Sequence, residues 1–341
     1  MNVDLFTDFD YTLSNDNCED GLLRHNLDRL NQKYEPLGFP IKIVDDYWAI
    51  CHQRYPGTDG EVGYLQAFIE EINDGTLLNA NGGAVTKADL YHFGKEIDIA
   101  NGVFELFDHL KQKWNGKLGG PNHLPITIRI FVISAGIDDM IRGSGIGEHV
   151  DGIAACDLDE KEPFASQKSS DQTPFVRHIK HVVTGFSKTA AIIEAVKGSG
   201  RCLNDAVKQE DYVSHYGNGI VMGDGFSDMS MIGYCRKKGA KTIGVYAVGN
   251  EASYQKALKV LGDRVDGIAP RDYQIDGPTH ILIDKFITEI VAPDRCTFPT
   301  EIQHMVRKRR TVHDETVEMV AKHHRSCSQC WPGSRTIFIP P

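Results

Sequence analysis

From about residue 99 the chain alternates apolar, β-branched runs with amphipathic stretches, and this pattern limits its fold more than any other feature. Ile126 to Ile133 is rich in β-branched residues, as in a buried strand. Shorter strand-like runs recur at Gly152–Ala155, His181–Thr184, Gly219–Met222, Thr242–Tyr246 and Val265–Ile268. Helical stretches at Ile137–Arg142, Lys188–Val196, Ser227–Lys237, Ala252–Leu261 and Ile281–Val291 separate most of them, and Val103–Trp114 precedes them. Strands alternating with helices predict an α/β fold, a parallel sheet covered on both faces. Val3 to Thr7 adds one more apolar strand ahead of the series. Ligands of such sheets bind at the carboxyl ends of the strands.

Residues 14 to 98 have a different texture. Leu22 to about Leu37, Val44 to Tyr55, Gly63 to Ile72 and Lys87 to Ile97 carry apolar residues at helical spacing. Pro36-Leu37-Gly38, Pro56-Gly57 and Asn81-Gly82-Gly83 break them, and Thr86 is placed to cap the last. Ile41-Lys42-Ile43 is the one short strand-like run, so the block reads as a helical insert.

The chain of 341 residues has room for one large domain or two ordinary ones, and 41% hydrophobic content supports a sizeable core. A net charge of −10 argues against a general nucleic-acid binder, because little neutralises a phosphate backbone, and no nucleic-acid partner is expected. No run of about 18 apolar residues is present, so no transmembrane helix is expected, and the N-terminus lacks a secretory pattern. The eight cysteines have no framework spacing and are expected to be free thiols in the cytoplasm.

Acids and small polar residues recur where these strands end. Asp8 and Asp10 follow Val3–Thr7, two apart and so on one face of an extended segment. Crowded carboxylates favour a cation or a shared proton. Ser134-Ala135-Gly136 follows Ile126–Ile133 and forms a turn that a phosphate can approach, with a hydroxyl and free backbone N–H groups. Lys188 opens a helix and can neutralise phosphate oxygens. Gly223-Asp224-Gly225-Phe226-Ser227-Asp228 follows Gly219–Met222. There Asp224, between two glycines, can reach a hard cation, and Asp228 can support it or orient Lys188.

This set resembles the haloacid dehalogenase superfamily of phosphatases. The first motif, D-x-D-x-T, stands here as Asp8 to Thr12, the second as Ser134, the third as Lys188, and the fourth, G-D-G-x-x-D, as Gly223 to Asp228. The resemblance covers roughly residues 1–292 and implies a Rossmann-like core in residues 1–13 and 99–292, with a helical C1-type cap in residues 14–98. It implies that Asp8 is the nucleophile and Asp10 the acid/base. Mg2+ would then be held by Asp8, the Asp10 carbonyl and Asp224 with support from Asp228. Thr12, Ser134, Ala135, Gly136 and Lys188 would hold the phosphoryl group. The wording around Ser134 and Lys188 is similar to the phosphoserine phosphatase and cytosolic 5′-nucleotidase branches. Phosphoserine phosphatases carry a cap glutamate where Asn17 stands here, and Glu19 and Asp20 lie out of register.

The sequence thus predicts a magnesium-dependent phosphomonoester hydrolase that forms an aspartyl-phosphate on a small soluble substrate. Its alternatives are a protein phosphatase acting on phosphotyrosine or phosphoserine, and a non-catalytic binding protein on the same fold. Residues 293–341 read as an extension with a helix opened by Thr300 and Gln303, a basic run Arg307–Arg310, and Cys327 and Cys330 beside His323 and His324, a weak zinc pattern. Asp157, Asp159, Glu160 and Glu162 read as a solvated loop.

Overall fold

The strand β1 (Asn2–Thr7) is buried from Val3 onward, on both faces, with Val3, Leu5 and Phe6 apolar and Asp4 and Thr7 the buried polar exceptions. In the computed structural model, which describes residues 1–56, 58–160 and 175–291, it is the centre of a seven-stranded sheet. Five helices follow it: α1 (Asp20–His25), α2 (Leu27–Tyr34), α3 (Val44–Arg54), α4 (Gly60–Asn73) and α5 (Lys87–Gly94). Next come α6 (Val103–Trp114), a small hairpin of β2 (Leu118–Gly119) and β3 (Leu124–Pro125), and the long strand β4 (Thr127–Ile137). The remainder runs α7 (Asp138–Gly143), β5 (Gly152–Asp159), β6 (His178–His181), α8 (Gly185–Lys197), β7 (Gly219–Gly223), α9 (Met229–Lys237), β8 (Lys241–Tyr246), α10 (Glu251–Leu261), β9 (Gly267–Pro270) and α11 (Pro278–Val291).

The strand order is β6-β5-β4-β1-β7-β8-β9. From β1 the chain builds outward through β4 and β5 on one side and through β7, β8 and β9 on the other. β1 is therefore the point where the winding reverses, and the carboxyl ends of β1, β4 and β7 open one crevice there. Register is pinned inside the sheet. Asp4 pairs with Arg129 across β1 and β4, and the guanidinium clamps its buried carboxylate through two hydrogen bonds of 2.8 and 2.7 Å.

The α/β expectation and the parallel core strands are borne out, with corrections at the edges. β6 runs antiparallel to β5 and spans His178–His181 rather than His181–Thr184. β4 continues through Ser134 to Ile137, so the second motif lies within the end of the strand and not after it. Ile41-Lys42-Ile43 is not a strand. The Asp46 carboxylate accepts from the Lys42 and Ile43 N–H groups, at 2.8 and 3.0 Å, and this caps α3. The single helix expected over Leu22–Leu37 is divided at Asn26, whose amide bonds Leu22 and Leu78 instead. Asp157 and Asp159 lie on β5, where Asp157 pairs with Lys87 and Lys180. Glu160 accepts from the Lys87 N–H at 2.6 Å, so these acids are bound into the structure rather than free in a solvated loop. Glu162 and all of residues 293–341, including the Arg307–Arg310 run and Cys327/Cys330, lie outside the described residues.

Two features seat the helical insert. Its apolar residues, among them Leu30, Tyr47, Leu65 and Phe68, join one continuous core with Val3, Leu5 and Ile130 of the sheet. On its far side α5 crosses α7 so closely that backbones touch. A Cβ at Gly94 would collide with the Met140 carbonyl, and one at Gly143 with the Tyr91 carbonyl.

Candidate active site

The turn after β1 is compact. The Asp8 N–H reaches across to the Met222 carbonyl of β7 at 3.0 Å, and the N–H groups of Thr12, Leu13 and Ser14 converge on the Phe9 carbonyl. Tyr11 takes a left-handed backbone conformation (φ 53°), which reverses the chain directly after Asp10. This turn holds Asp8 and Asp10 over the crevice as the sequence predicts.

Lys188, on the first turns of α8, is 1% exposed and donates to Oδ1 of Asp8 and to Oδ1 of Asp228, both at 2.7 Å. Burial acts to lower its ammonium, but Asp228 and Asp8 outweigh that, and the net direction is upward. Lys188 therefore stays charged. Oδ2 of Asp228 accepts from the Asp224 and Gly225 N–H groups at 3.1 and 3.2 Å. A Cβ at Gly223 would strike that carboxylate, so a glycine is required where β7 ends.

The oxygens of Asp8, Asp224 and Asp228 lie within 4.8 Å of one another. Burial first, and then repulsion from Asp228, pushes the Asp8 carboxyl up to about 8 and that of Asp224 to about 7. Lys188 opposes the shift in both, and Lys256, 3.7 Å from Asp224, opposes it there. Three buried or half-buried carboxylates against one buried ammonium form a hard, oxygen-only donor set with surplus negative charge. This set fits a magnesium ion. Both oxygens of Asp228 are already engaged, whereas Asp8 and Asp224 each have only one oxygen paired with a lysine, so their second oxygens are the open donors of the group.

Asp10 stands on the other side of Asp8. Loss of solvation in the cavity, then repulsion from Glu19 and Asp8, raises its carboxyl well above the usual range, a direction that favours the proton-bearing form. Its Oδ1 accepts from the Cys18 N–H at 2.8 Å, and its Oδ2 lies 3.5 Å from the Ser134 hydroxyl. Oγ of Ser134 accepts from the Gly136 N–H at 3.0 Å. A Cβ at Gly136 would come within 2.5 Å of the Cys18 sulfur and 2.8 Å of Asp10 Oδ2, so residue 136 must be glycine for Asp10 to hold its place. Thr12 is buried, and its hydroxyl has no partner.

All the sequence-predicted groups thus meet around one cavity of about 970 Å3, or lie directly behind its wall. Asp8, Asp10, Ala135, Gly136, Lys188 and Asp224 line it, while Ser134, Thr12 and Asp228 are buried behind. Other wall residues were not legible in the sequence. Glu19 is buried beside Asp10 with one oxygen unpartnered, its carboxyl pushed up to about 7 by burial, although Asn17 holds the register position and also lines the cavity. Trp48, His52 and Tyr64 come from the insert, and Phe186 and Phe226 come from within the third and fourth motifs. Asp10, Cys18 and Glu19 also gather their polar atoms within 4.8 Å, but burial raises the Cys18 thiol so far that it stays neutral, which suits no hard cation.

No family model matches the chain. An uncharacterized protein of Borreliella burgdorferi is 26% identical over 224 residues, covering 62% of this chain and 73% of that one. Among solved structures, a HAD family hydrolase from Salmonella enterica serovar Typhi overlaps 71% of this chain at 14% identity and a TM-score of 0.42, and this chain spans 62% of its length. A phosphoserine phosphatase captured as a phospho-aspartyl intermediate analogue overlaps 83% of this chain and 98% of its own, at 15% identity and a TM-score of 0.44. Cytosolic 5′-nucleotidase IIIB bound to cytidine overlaps 84% and 85%, at 17% identity and a TM-score of 0.43. In its four motifs, their order along the chain and the Rossmann-like sheet whose strand ends carry them, this chain resembles the haloacid dehalogenase superfamily of phosphatases.

Proposed function

We propose that the protein is a magnesium-dependent phosphomonoester hydrolase that works through an aspartyl-phosphate on Asp8. One observation carries this reading. A buried ammonium, Lys188, bridges Asp8 and Asp228 at 2.7 Å while Asp224 brings a third carboxylate within 4.8 Å and Asp10, its carboxyl raised by burial, stands beside them. A structural ion pair needs one acid, whereas a phosphoryl-transfer site needs this many groups with separate tasks.

Asp8 and Asp224, with the Asp10 carbonyl, would hold magnesium, and Asp228 would support them. The metal would supply neutralisation of phosphoryl charge. Asp8 attacks phosphorus and forms a carboxyl–phosphate bond as the ester oxygen leaves. Asp10 gives its proton to that oxygen, so the alcohol departs neutral. Asp10, now a carboxylate, takes a proton from water as the water attacks the aspartyl-phosphate, which releases phosphate and restores both acids. Lys188 offsets charge on the transferring oxygens, Ser134, Thr12 and the Ala135 N–H orient them, and the Gly136 N–H holds the Ser134 hydroxyl oxygen.

The helical insert would serve as the cap, since Trp48, His52 and Tyr64 line the same cavity as the catalytic groups. A small soluble substrate fits a cavity bounded by that wall. No helix among the described residues is long and apolar enough to cross a membrane. The five free cysteines among the described residues suit a reducing compartment such as the cytoplasm. The purified full chain should hydrolyse para-nitrophenyl phosphate with magnesium and stop with EDTA. Label from a phosphorus-labelled substrate should enter the protein and leave with hydroxylamine. Incorporation that persists in Asp8→Asn removes the assigned nucleophile.

A further inference from the structure

Phe186 and Phe226 are 83% and 78% exposed, yet both line the active-site cavity. Each is embedded in a motif. Phe186 lies two residues before Lys188, and Phe226 two residues after Asp224. Among the described residues neither belongs to a core cluster or makes an aromatic pair, so that part of the fold gains little from either ring. A polar residue at either turn position would avoid leaving so large an apolar surface in water.

The two turns are neighbours. Gly185 packs on the backbone of Ser227, where an added Cβ would sit 3.0 Å from the carbonyl oxygen, and Lys188 lies 3.4 Å from the Ser227 hydroxyl. The two rings are thereby carried on one wall of the cavity. Trp48 lines the same cavity from the insert, its ring tilted on the buried Tyr64 at 4.1 Å between centroids. Three aromatic side chains in one lining favour a flat, unsaturated occupant over a saturated one of equal size, because ring quadrupoles add to area burial. A cavity of about 970 Å3 also leaves ample room beyond the phosphate for such a group.

We propose that Phe186 and Phe226 form a stacking wall for a planar ring in the leaving group, so that the substrates are small aromatic phosphomonoesters. This rests on the phosphatase reading above. The two rings set specificity, while bond breaking stays with Asp8 and Asp10.

The test compares 2-phenylethyl phosphate with 2-cyclohexylethyl phosphate on the full chain with magnesium. The two alcohols are alike as leaving groups and differ in the flatness of the ring. The expected result is a preference in kcat/KM of about tenfold for the phenyl ester, expressed in KM. In Phe186→Ala and Phe226→Ala that ratio should fall by about threefold each, and Phe226→Trp should restore it. A wild-type ratio near one, or a ratio unmoved in the double alanine variant, overturns the proposal. So does a phosphotyrosine peptide preferred by more than tenfold over free phosphotyrosine. If neither ester nor para-nitrophenyl phosphate is cleaved, the phosphatase reading fails on its own. Calorimetric titration with the two matching phosphonates then decides: tighter binding of the phenyl compound sustains the stacking wall, and equal binding ends it.

Discussion

The Lys188 ammonium sits 2.7 Å from Oδ1 of Asp8 with both side chains buried, so the proposed nucleophile shares this buried countercharge with Asp228. Removing that charge leaves two buried carboxylates facing each other. Lys188→Met should cost about 3 kcal/mol in urea denaturation at pH 8. The loss should be smaller at pH 5, where Asp8 can be protonated. An equal loss at both values would show that the lysine stem, and not its charge, stabilises the fold.

Burial holds the Asp8 and Asp224 carboxyls up, to about 8 and about 7, above the ordinary value of 3.8. An acid raised in this way favours the folded state in its protonated form. Its contribution is complete below pH 4 and is lost as pH rises through the folded value. In EDTA, the Tm should therefore fall by several degrees between pH 5 and 8. Magnesium, which binds the ionised acids, should flatten most of that slope. A Tm that climbs across this range in EDTA contradicts the arrangement.

Gly136 and Gly233 make a matched pair. Alanine at 136 must displace Cys18 or Asp10, whereas nothing lies within 4 Å of a Cβ at 233, inside α9. Gly136→Ala should lose about 1–3 kcal/mol of stability and at least tenfold in kcat. Gly233→Ala should be neutral or gain about 0.5–1 kcal/mol. Phosphatase assays and thermal melts on both variants check this.

Glu71 is fully buried in the insert and accepts from Lys33, Arg54 and the Tyr34 hydroxyl. Glu71→Ala strands those donors, although Lys33 and Arg54 keep some water. The expected cost is about 2–3 kcal/mol. Hydrogen exchange should show faster opening in α2, α3 and α4 than in the sheet, and uniform acceleration would mean that insert and sheet unfold as one unit.

The sheet and the four motifs were legible because local signals carry them. Buried parallel strands are mostly apolar, and each motif residue is adjacent in sequence to a strand end or a helix start. The errors arose where a distant partner decides the local structure. Asn26 ends a helix because it bonds Leu78, 52 residues away. The edge strand β6 is polar His-Ile-Lys-His, while the β-branched Val182-Val183 beyond it drew the expectation onward, and Val183 is buried without being a strand residue. Glu19 shows the same limit at the site. It is out of register by sequence, yet the turn that follows Asp10 brings it against that carboxyl.

The bare backbone seam between Gly94 and Gly143 bears on how distant relatives can be recognised. The two glycines lie 49 positions apart, in helices that carry no catalytic group, and neither position tolerates even a methyl without driving the helices apart. A chain that has drifted beyond useful overall identity could still be aligned by this pair, placed downstream of an Asp-x-Asp and bracketing its Ser-Ala-Gly strand end. An alanine at either position would mark a lineage in which the insert sits differently on the sheet, and in which substrate preference should not be transferred from this protein.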